Sequence, residues 1–476
     1  MIAKRVAGPT TSDGKLPAHS ARNASSSIHA GLWHANRKAR LSLQSIRIRG
    51  RKTQPIRSRA PFRHSFASSG IALLLQFIFG APARGENHAD TRFEFYSEDG
   101  GRIQVETEGI LFEQAIAPWA TLRGKAVYDS ISGATPTGAP APGGSGGGGG
   151  GGDGGGDAGV RGVRPRRTNA SIQAVAGATP ANGGGGSSQV PLVQMVDRRY
   201  AGDLAADLRL ANQTVTPELA YSSEKDYTSI GLALTDAIDF NQKNTTLVLG
   251  VSHDFDTVHP ILWPNSKSKN STEILIGVNQ LLDPKTVLKL DFTYGFENGY
   301  LSDPYRGVVF VSSPTAGTLF PENRPSTRTE EIGFVSLTHF FDRLNGSAEP
   351  SYRLYHDSYG IVSHTLGIQW YQKLGRYVIV SPLLRYTVQS AANFYGTTFP
   401  GDPTTPSTIP KFYSADYRLS SLSTYTYGLQ ITGIVSDRLR LDAGYERYVM
   451  QGNDGQTAAS AYPTANIFTV GFRWLW

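Results

Sequence analysis

Hydrophobic and polar residues alternate along most of this chain with a period of two. In Leu288 to Phe296, Leu288, Leu290, Phe292, Tyr294 and Phe296 fall on one face, and Lys289, Asp291, Thr293 and Gly295 on the other. A two-residue period is that of a β-strand. The same parity sets Leu247, Leu249 and Val251 against Thr246, Gly250 and Ser252, and Ile274, Ile276 and Val278 against Glu273, Gly277 and Asn279. It recurs in Tyr425, Tyr427, Leu429 and Ile431, which oppose Thr424, Thr426, Gly428 and Gln430. One face is greasy, and the other is small, polar or charged.

Alternation also suits a soluble sandwich, so the turns must decide. Short turns near Gln114 to Pro118, Ala211 to Gln213, Asn241 to Lys243, Asp283 to Lys285, Asp342 to Asn345, Leu374 to Gly375 and Asp437 interleave with longer connections. Three of these are long: Ser130 to Asp197, Gly299 to Arg328 and Ala391 to Ser420. Short periplasmic turns facing long extracellular loops are the layout of a transmembrane antiparallel β-barrel of the bacterial outer membrane. Counting from Thr91–Tyr96 to Ala465–Trp476 predicts about 16 strands. Thr329 to Phe341 has no clear parity, which leaves 14 or 18 open.

Closure gives the pattern its physical sense. In hydrocarbon each unpaired backbone amide costs several kcal/mol, so extended chain survives only in a sheet without edges. Sixteen strands enclose a space too wide for side chains to fill, leaving a watery lumen or one blocked by an inward-folded loop. Inward parity selects Arg123, Lys125 and Asp129; Asp203 and Asp207; Glu218 and Glu224; and Asp254 and Asp256. Further along it selects Lys289, Asp291 and Glu297, then Arg353, Arg385, Arg440, Asp442, Glu446 and Arg473. Ion pairs bracing the wall account for most of these charges; a charge-separated constriction that orients a solute is the sharper reading. Trp119, Tyr128, Tyr227, Tyr300, Trp370, Tyr371 and Tyr445, near strand ends, suit interfacial girdles. Phe472, Trp474 and Trp476 resemble the terminal strand that the barrel assembly machinery reads, although Phe is commoner there than Trp.

Charge changes the picture only through its distribution. The chain of 476 residues carries a net +7, but Met1 to Arg63 holds 14 of its 46 basic residues and one of its 39 acidic ones, so the remainder is net −6. No nucleic-acid partner is therefore expected. Phe66 to Gly80 (FASSGIALLLQFIFG) has the length of a signal-peptide core, and Ala81-Pro82-Ala83 suits cleavage after Ala83. Residues 1–83 are read as a signal peptide with an over-long basic region; a start of translation nearer the apolar core is favoured over a genuine basic tail. No other stretch is long and apolar enough for a spanning helix, so residues 84–476 hold the barrel.

The absence of cysteine removes disulfides, thiolate metal sites and cysteine nucleophiles. Residues 130–197 are read as a Gly-rich extracellular loop, with a glycine run from Gly146 to Gly156 broken only by Asp153. Its single irregular GGDGGGD copy is given no chemistry. His253-Asp254-Phe255-Asp256 with His259 looks like a metal cluster, but parity turns His253 outward and both aspartates inward, so no metal is expected there. No catalytic motif or cofactor site stands out. Barrel phospholipases use Ser and His on the outer wall; His253 and His364 lie there, without a distinguishable nucleophile.

Phe95 to Val105 (FYSEDGGRIQV), Val127 to Thr137 (VYDSISGATPT), Tyr221 to Tyr227 (YSSEKDY), Asn241 to Thr246 (NQKNTT) and Asp256 to Pro260 (DTVHP) together resemble an uncharacterised Gram-negative family. It is catalogued as domain of unknown function three-five-seven-zero. Gly101, where a second acid is expected, and the terminal Trp476 depart from it. The resemblance implies an outer-membrane barrel, and because members of that family are often encoded beside periplasmic flavin-transfer and thioredoxin-like proteins, it also implies a link to a redox assembly.

Three functions follow, in descending order: a non-enzymatic porin-like channel or transporter for a small solute, a structural barrel that anchors a periplasmic complex, and an outer-membrane lipid hydrolase. Expected partners are outer-membrane lipid, the assembly machinery, a small-molecule solute or a periplasmic protein.

Overall fold

The computed structural model describes residues 87–136, 174–175, 190, 192–260, 265–313 and 316–476. The signal-peptide reading of residues 1–83 and the glycine run Gly146–Gly156 lie outside them.

Sixteen strands form one closed antiparallel ring. They are β1 (His88–Glu98), β2 (Gln104–Ala117), β3 (Ala120–Pro136), β4 (Leu192–Leu210), β5 (Gln213–Ser223), β6 (Tyr227–Phe240), β7 (Thr245–Val258) and β8 (Lys267–Asp283). The second half comprises β9 (Thr286–Gly299), β10 (Thr327–Phe341), β11 (Gly346–Asp357), β12 (Val362–Leu374), β13 (Val378–Gln389), β14 (Leu422–Ile434), β15 (Leu439–Gly452) and β16 (Thr464–Leu475). Each strand pairs with its neighbours in sequence, and β1 closes on β16 in continuous register from His88↔Leu475 to Glu98↔Ala465. Neither terminal strand is left with an open edge, as oil demands. The strands β3 and β4 reach Pro136 and Leu192, so they take up both ends of the segment read as the Gly-rich loop. A two-residue strand, Ala174–Val175, pairs with β4.

The ring has two unlike ends. At one, turns of two to four residues join the hairpins; at the other lie the connections 300–326, 390–421 and 453–463. A greasy belt faces outward, where Leu232, Leu234, Ile274, Ile276, Phe292, Leu366, Leu429 and Val470 are all exposed. Residues of the opposite parity, such as Ser229, Ser252, Glu273, Thr293 and Thr469, face inward and are buried. An outer-membrane-type barrel inverts the usual soluble pattern in this way.

Strand β10 explains its own blurred parity. Arg328, Glu330, Ile332, Phe334 and Ser336 share the inward face, so two apolar side chains look into the lumen, while Glu331 and Gly333 look out. Two girdle assignments are corrected. Tyr227 points inward and its hydroxyl donates to Asp256. Tyr371 also points inward, donating to Glu349 Oε2 at 3.3 Å. Trp119 and Tyr445 are exposed on the outer wall, and Trp370 lies tilted against Phe341 with ring centroids 5.8 Å apart.

Candidate functional site

Inside the ring, charges pair across strands. Arg123 Nη2 lies 2.8 Å from Asp207 Oδ1, Arg199 Nε 2.7 Å from Asp129 Oδ2, and Lys269 Nζ 2.7 Å from Glu297 Oε1. Lys125 lies 3.9 Å from Asp203 and Arg473 is paired with Asp90, while within β9 itself Lys289 lies 3.0 Å from Asp291. Asp254, Asp256 and Arg440 are buried on the same inward face. Asp442 accepts from Thr432 at 2.5 Å. Arg353 and Arg385 share that face on β11 and β13, opposite Thr365 and Thr426. Arg353 is only partly accessible, whereas Arg385 is exposed although it points inward, so the lumen beside it holds water-accessible space.

Glycine makes room for the carboxylates. A Cβ on Gly231 would stand 2.5 Å from Asp254 Oδ1, and one on Gly277 2.6 Å from Asp291 Oδ1. Any larger residue at those positions forces its cross-strand acid off the wall.

Towards the long-loop end the charges become a buried network. Arg328 Nη2 approaches Asp357 Oδ2 at 2.6 Å, and Arg328 Nη1 lies 3.1 Å from Glu330 and 3.8 Å from Glu297. Asp357 Oδ1 in turn accepts the N–H groups of Tyr359 and Ile361, at 3.0 and 2.9 Å, and so fixes the β11–β12 turn. Burying an arginine is tolerable only with such pairing.

Above this network the loops cover the mouth. The segment 300–326 leaves β9, yet Arg306 Nη2 donates to Thr135 Oγ1 at 2.9 Å, and Nη1 donates to the Pro136 carbonyl, both at the end of β3. β3 stands six strands away round the ring, so the loop spans the lumen to reach it. Tyr305 packs against a buried cluster that includes Tyr96, Ile103, Ile131, Tyr448 and Ile467, from β1, the β1–β2 turn, β3, β15 and β16. Within this cap, strands Gly307–Ser313 and Ala316–Pro321 form a hairpin, and Thr398–Pro400 adds in parallel. Val308 and Phe310 are fully buried against Tyr413, giving the cap its own small core.

Two similar turns lock the loops together. Asp303 Oδ1 accepts the Tyr305 N–H at 2.8 Å, and Asp416 Oδ1 accepts the Arg418 N–H at 3.1 Å. Across the loops, Arg324 Nη2 donates to Asp416 Oδ2 at 2.8 Å, and Arg418 Nη2 donates to Asp303. Arg324 Nε also lies 2.7 Å from Glu322. Burial would raise both aspartyl pKa values, but for Asp303 the guanidinium groups of Arg418 and Arg306, and for Asp416 those of Arg418, Arg306 and Arg324, outweigh it and hold each carboxyl below its usual range.

Nothing in local periodicity pointed to these cap residues. Their one trace in sequence is the pair Asp303-Pro304-Tyr305-Arg306 and Asp416-Tyr417-Arg418, one in each long connection. His253 Nδ1 lies 2.8 Å from Thr272 Oγ1, and His364 Nδ1 lies 2.7 Å from the Tyr352 hydroxyl, both on the outer wall. The aspartates beside His253 stay on the lumen side, and His259 meets Asp226 through its backbone.

Sequence comparison places this barrel. The profile of the "Protein of unknown function (DUF3570)" family matches residues 78–268 and 263–469. The chain belongs to the DUF3570 family. No curated protein matches it. Among solved structures, this DUF3570 barrel is similar to the siderophore receptor PirA from Pseudomonas aeruginosa (10% identity, TM-score 0.38), matching 82% of its own length and 62% of the receptor's. It is also similar to CdiB from Acinetobacter baumannii (8% identity, TM-score 0.43, 83% of this chain and 61% of CdiB). A bacterial polysaccharide outer-membrane secretin shares 9% identity at a TM-score of 0.40, over 83% of this chain and 100% of that one. The chain thus spans about three fifths of the length of the receptor. These likenesses are distant, and the architecture of the DUF3570 barrel stands on its own closed register.

Proposed function

We propose that this protein is a non-enzymatic outer-membrane channel or transporter for a small solute, with a wet, charge-lined lumen gated from outside by the loop cap. The observation that carries the reading is Arg306 reaching Thr135 from the far side of the ring, because only a loop lying over the mouth can make that contact. An inward but exposed Arg385 supports water-filled space beneath it. Carboxylates crowd the inward face around Glu273, which has Glu330, Asp254 and Glu297 as its acidic neighbours. That acidic stretch of wall attracts cations locally. Arg123, Lys125, Asp254, Asp256, Lys289, Asp291, Arg353, Arg385, Arg440, Asp442 and Arg473 are proposed to line the path. Phe472, Trp474 and Trp476 are proposed as the signal to the assembly machinery, which would place the barrel in the outer membrane.

The anchor reading has less support, since turns of two to four residues offer a periplasmic partner little surface. Conductance in planar bilayers tests the proposal. The wild type should conduct rarely and in small steps, and Asp416→Ala, which unlocks the cap, should conduct more often and in larger ones. If both are silent, the lumen is sealed and the channel reading fails.

A further inference from the structure

Charged side chains on the outer wall of β10 and β15 have partners beside them. Outward Glu331 lies 3.4 Å from His356, and outward Arg447 is paired with Asp99. The wall from β2 to β4 differs. Val105 and Thr107 take the lumen side of β2, so Glu106 and Glu108 point outward, and both are exposed. On β4, Asp197 and Arg199 take the lumen side, and Arg198 is outward and exposed. Among the described residues, none of these three side chains has a hydrogen-bond or ion-pair partner.

Register sets the two acids within the greasy belt. Glu106 stands opposite Phe95 and Glu108 opposite Phe93, whose partners on β16 are the exposed Phe468 and Val470. A carboxylate held against hydrocarbon is costly, and an ionisable side chain there marks a contact. Across β3 the pattern is self-complementary. Glu106 pairs in register with Ser130, and Ser130 with Arg198; Glu108 pairs with Tyr128, and Tyr128 with Tyr200. The acids on β2 and the base on β4 therefore stand two strands apart, about 10 Å at ordinary strand spacing. On the next rung Ala126 faces Gly202, which adds no bulk and lets another wall approach.

We propose that a second copy of this chain covers this face, in a dimer whose two-fold axis runs along the membrane normal through β3. Such an axis lays β2 of one copy against β4 of the other, so Arg198 of each copy meets Glu106 and Glu108 of its counterpart. The interface is isologous, and every charge is answered twice over. An anionic lipid headgroup would pair with Arg198 but be repelled by the glutamates; a second copy satisfies both signs. The contact lies outside the ring and does not depend on whether the lumen conducts.

Ser130, beside the axis, faces its own counterpart, and the chain has no cysteine, so Ser130→Cys is the probe. Outer membranes carrying the full-length variant are treated with a short bis-maleimide, matched to the roughly 10 Å between packed sheets, and dimer is read on denaturing gels. Ser130→Cys should link several-fold more than Leu366→Cys, an exposed belt position on β12. Arg198→Glu, added to Ser130→Cys, should lower the linked fraction to the Leu366→Cys level. Adding Glu106→Lys and Glu108→Lys as well should restore it, with heat-modified gel mobility reporting a folded barrel throughout. Ser130→Cys that links no better than Leu366→Cys, as under a coat of lipid alone, would overturn the proposal. So would Arg198→Glu that leaves linking unchanged, or a folded charge-reversed chain in which linking is not restored. The comparison of the two cysteines decides alone if the reversed chains do not fold.

Discussion

Arg324 and Asp416 meet at 2.8 Å across two loops that are 92 residues apart in sequence. Asp416 is almost wholly buried, and Arg306 and Arg418 crowd the same carboxylate. Removing it leaves buried guanidinium groups with lost partners, a loss of about 3–5 kcal/mol for a buried pair. Asp416→Ala should therefore loosen the cap while the barrel, held by its own ladder, stays closed. Limited proteolysis on intact cells checks this: new cuts are expected within 300–326, with unchanged heat-modified mobility. A cap as resistant as the wild type's would contradict the network's role.

The same residues predict a pH dependence. With Asp303 and Asp416 held below their usual range in the capped state, the open state binds protons more readily. Their stabilisation is complete above the ordinary aspartate pKa of about 4 and drains away as pH falls below it. Hydrogen exchange of 300–326, corrected for intrinsic rates, should be faster at about pH 3 than at pH 6. Equal protection at both would count against the assignment.

Adjacent residues on β14 separate the two faces. Leu429 is 42% exposed in the belt, while Gln430 looks into the lumen. Leu429→Arg should cost roughly 2–4 kcal/mol near the bilayer midplane, whereas Gln430→Arg should stay within about 0.5 kcal/mol. Urea unfolding in lipid vesicles measures both, and equal losses would remove the distinction between faces.

Arg385 offers a readout of the lumen. Arg385→Glu, made in the Asp416→Ala background, should shift the reversal potential in a salt gradient towards cations. Stability should change by less than about 0.5 kcal/mol, since the side chain is exposed. An unchanged reversal potential would place Arg385 off the conducting path.

The ring itself was legible in the sequence, because strands such as β9 carry apolar and polar residues in strict alternation, and a lipid-facing wall imposes that alternation without tertiary help. Where the lumen becomes partly apolar the signal fades. Ile332 and Phe334 face inward in β10 beneath the cap, and Tyr227 and Tyr371 turn inward to reach carboxylates although their positions suit a girdle. The cap was illegible for a different reason. Asp303, Arg324, Asp416 and Arg418 are brought together by chain crossing the mouth, and no residue period records a contact of that range.

The seam between first and last strands tests the central claim, a belt sealed into a cylinder. The chain has no cysteine, so Phe95→Cys with Phe468→Cys introduces a single pair at positions in direct register on β1 and β16. Antiparallel partners lie within the Cα separation a disulfide accepts. Oxidation in outer-membrane fractions should link them, giving a denatured chain with altered, reductant-sensitive gel mobility, while Phe95→Cys paired with Leu290→Cys should not link. Failure of the seam pair to link in folded protein would mean that β1 and β16 end in open edges.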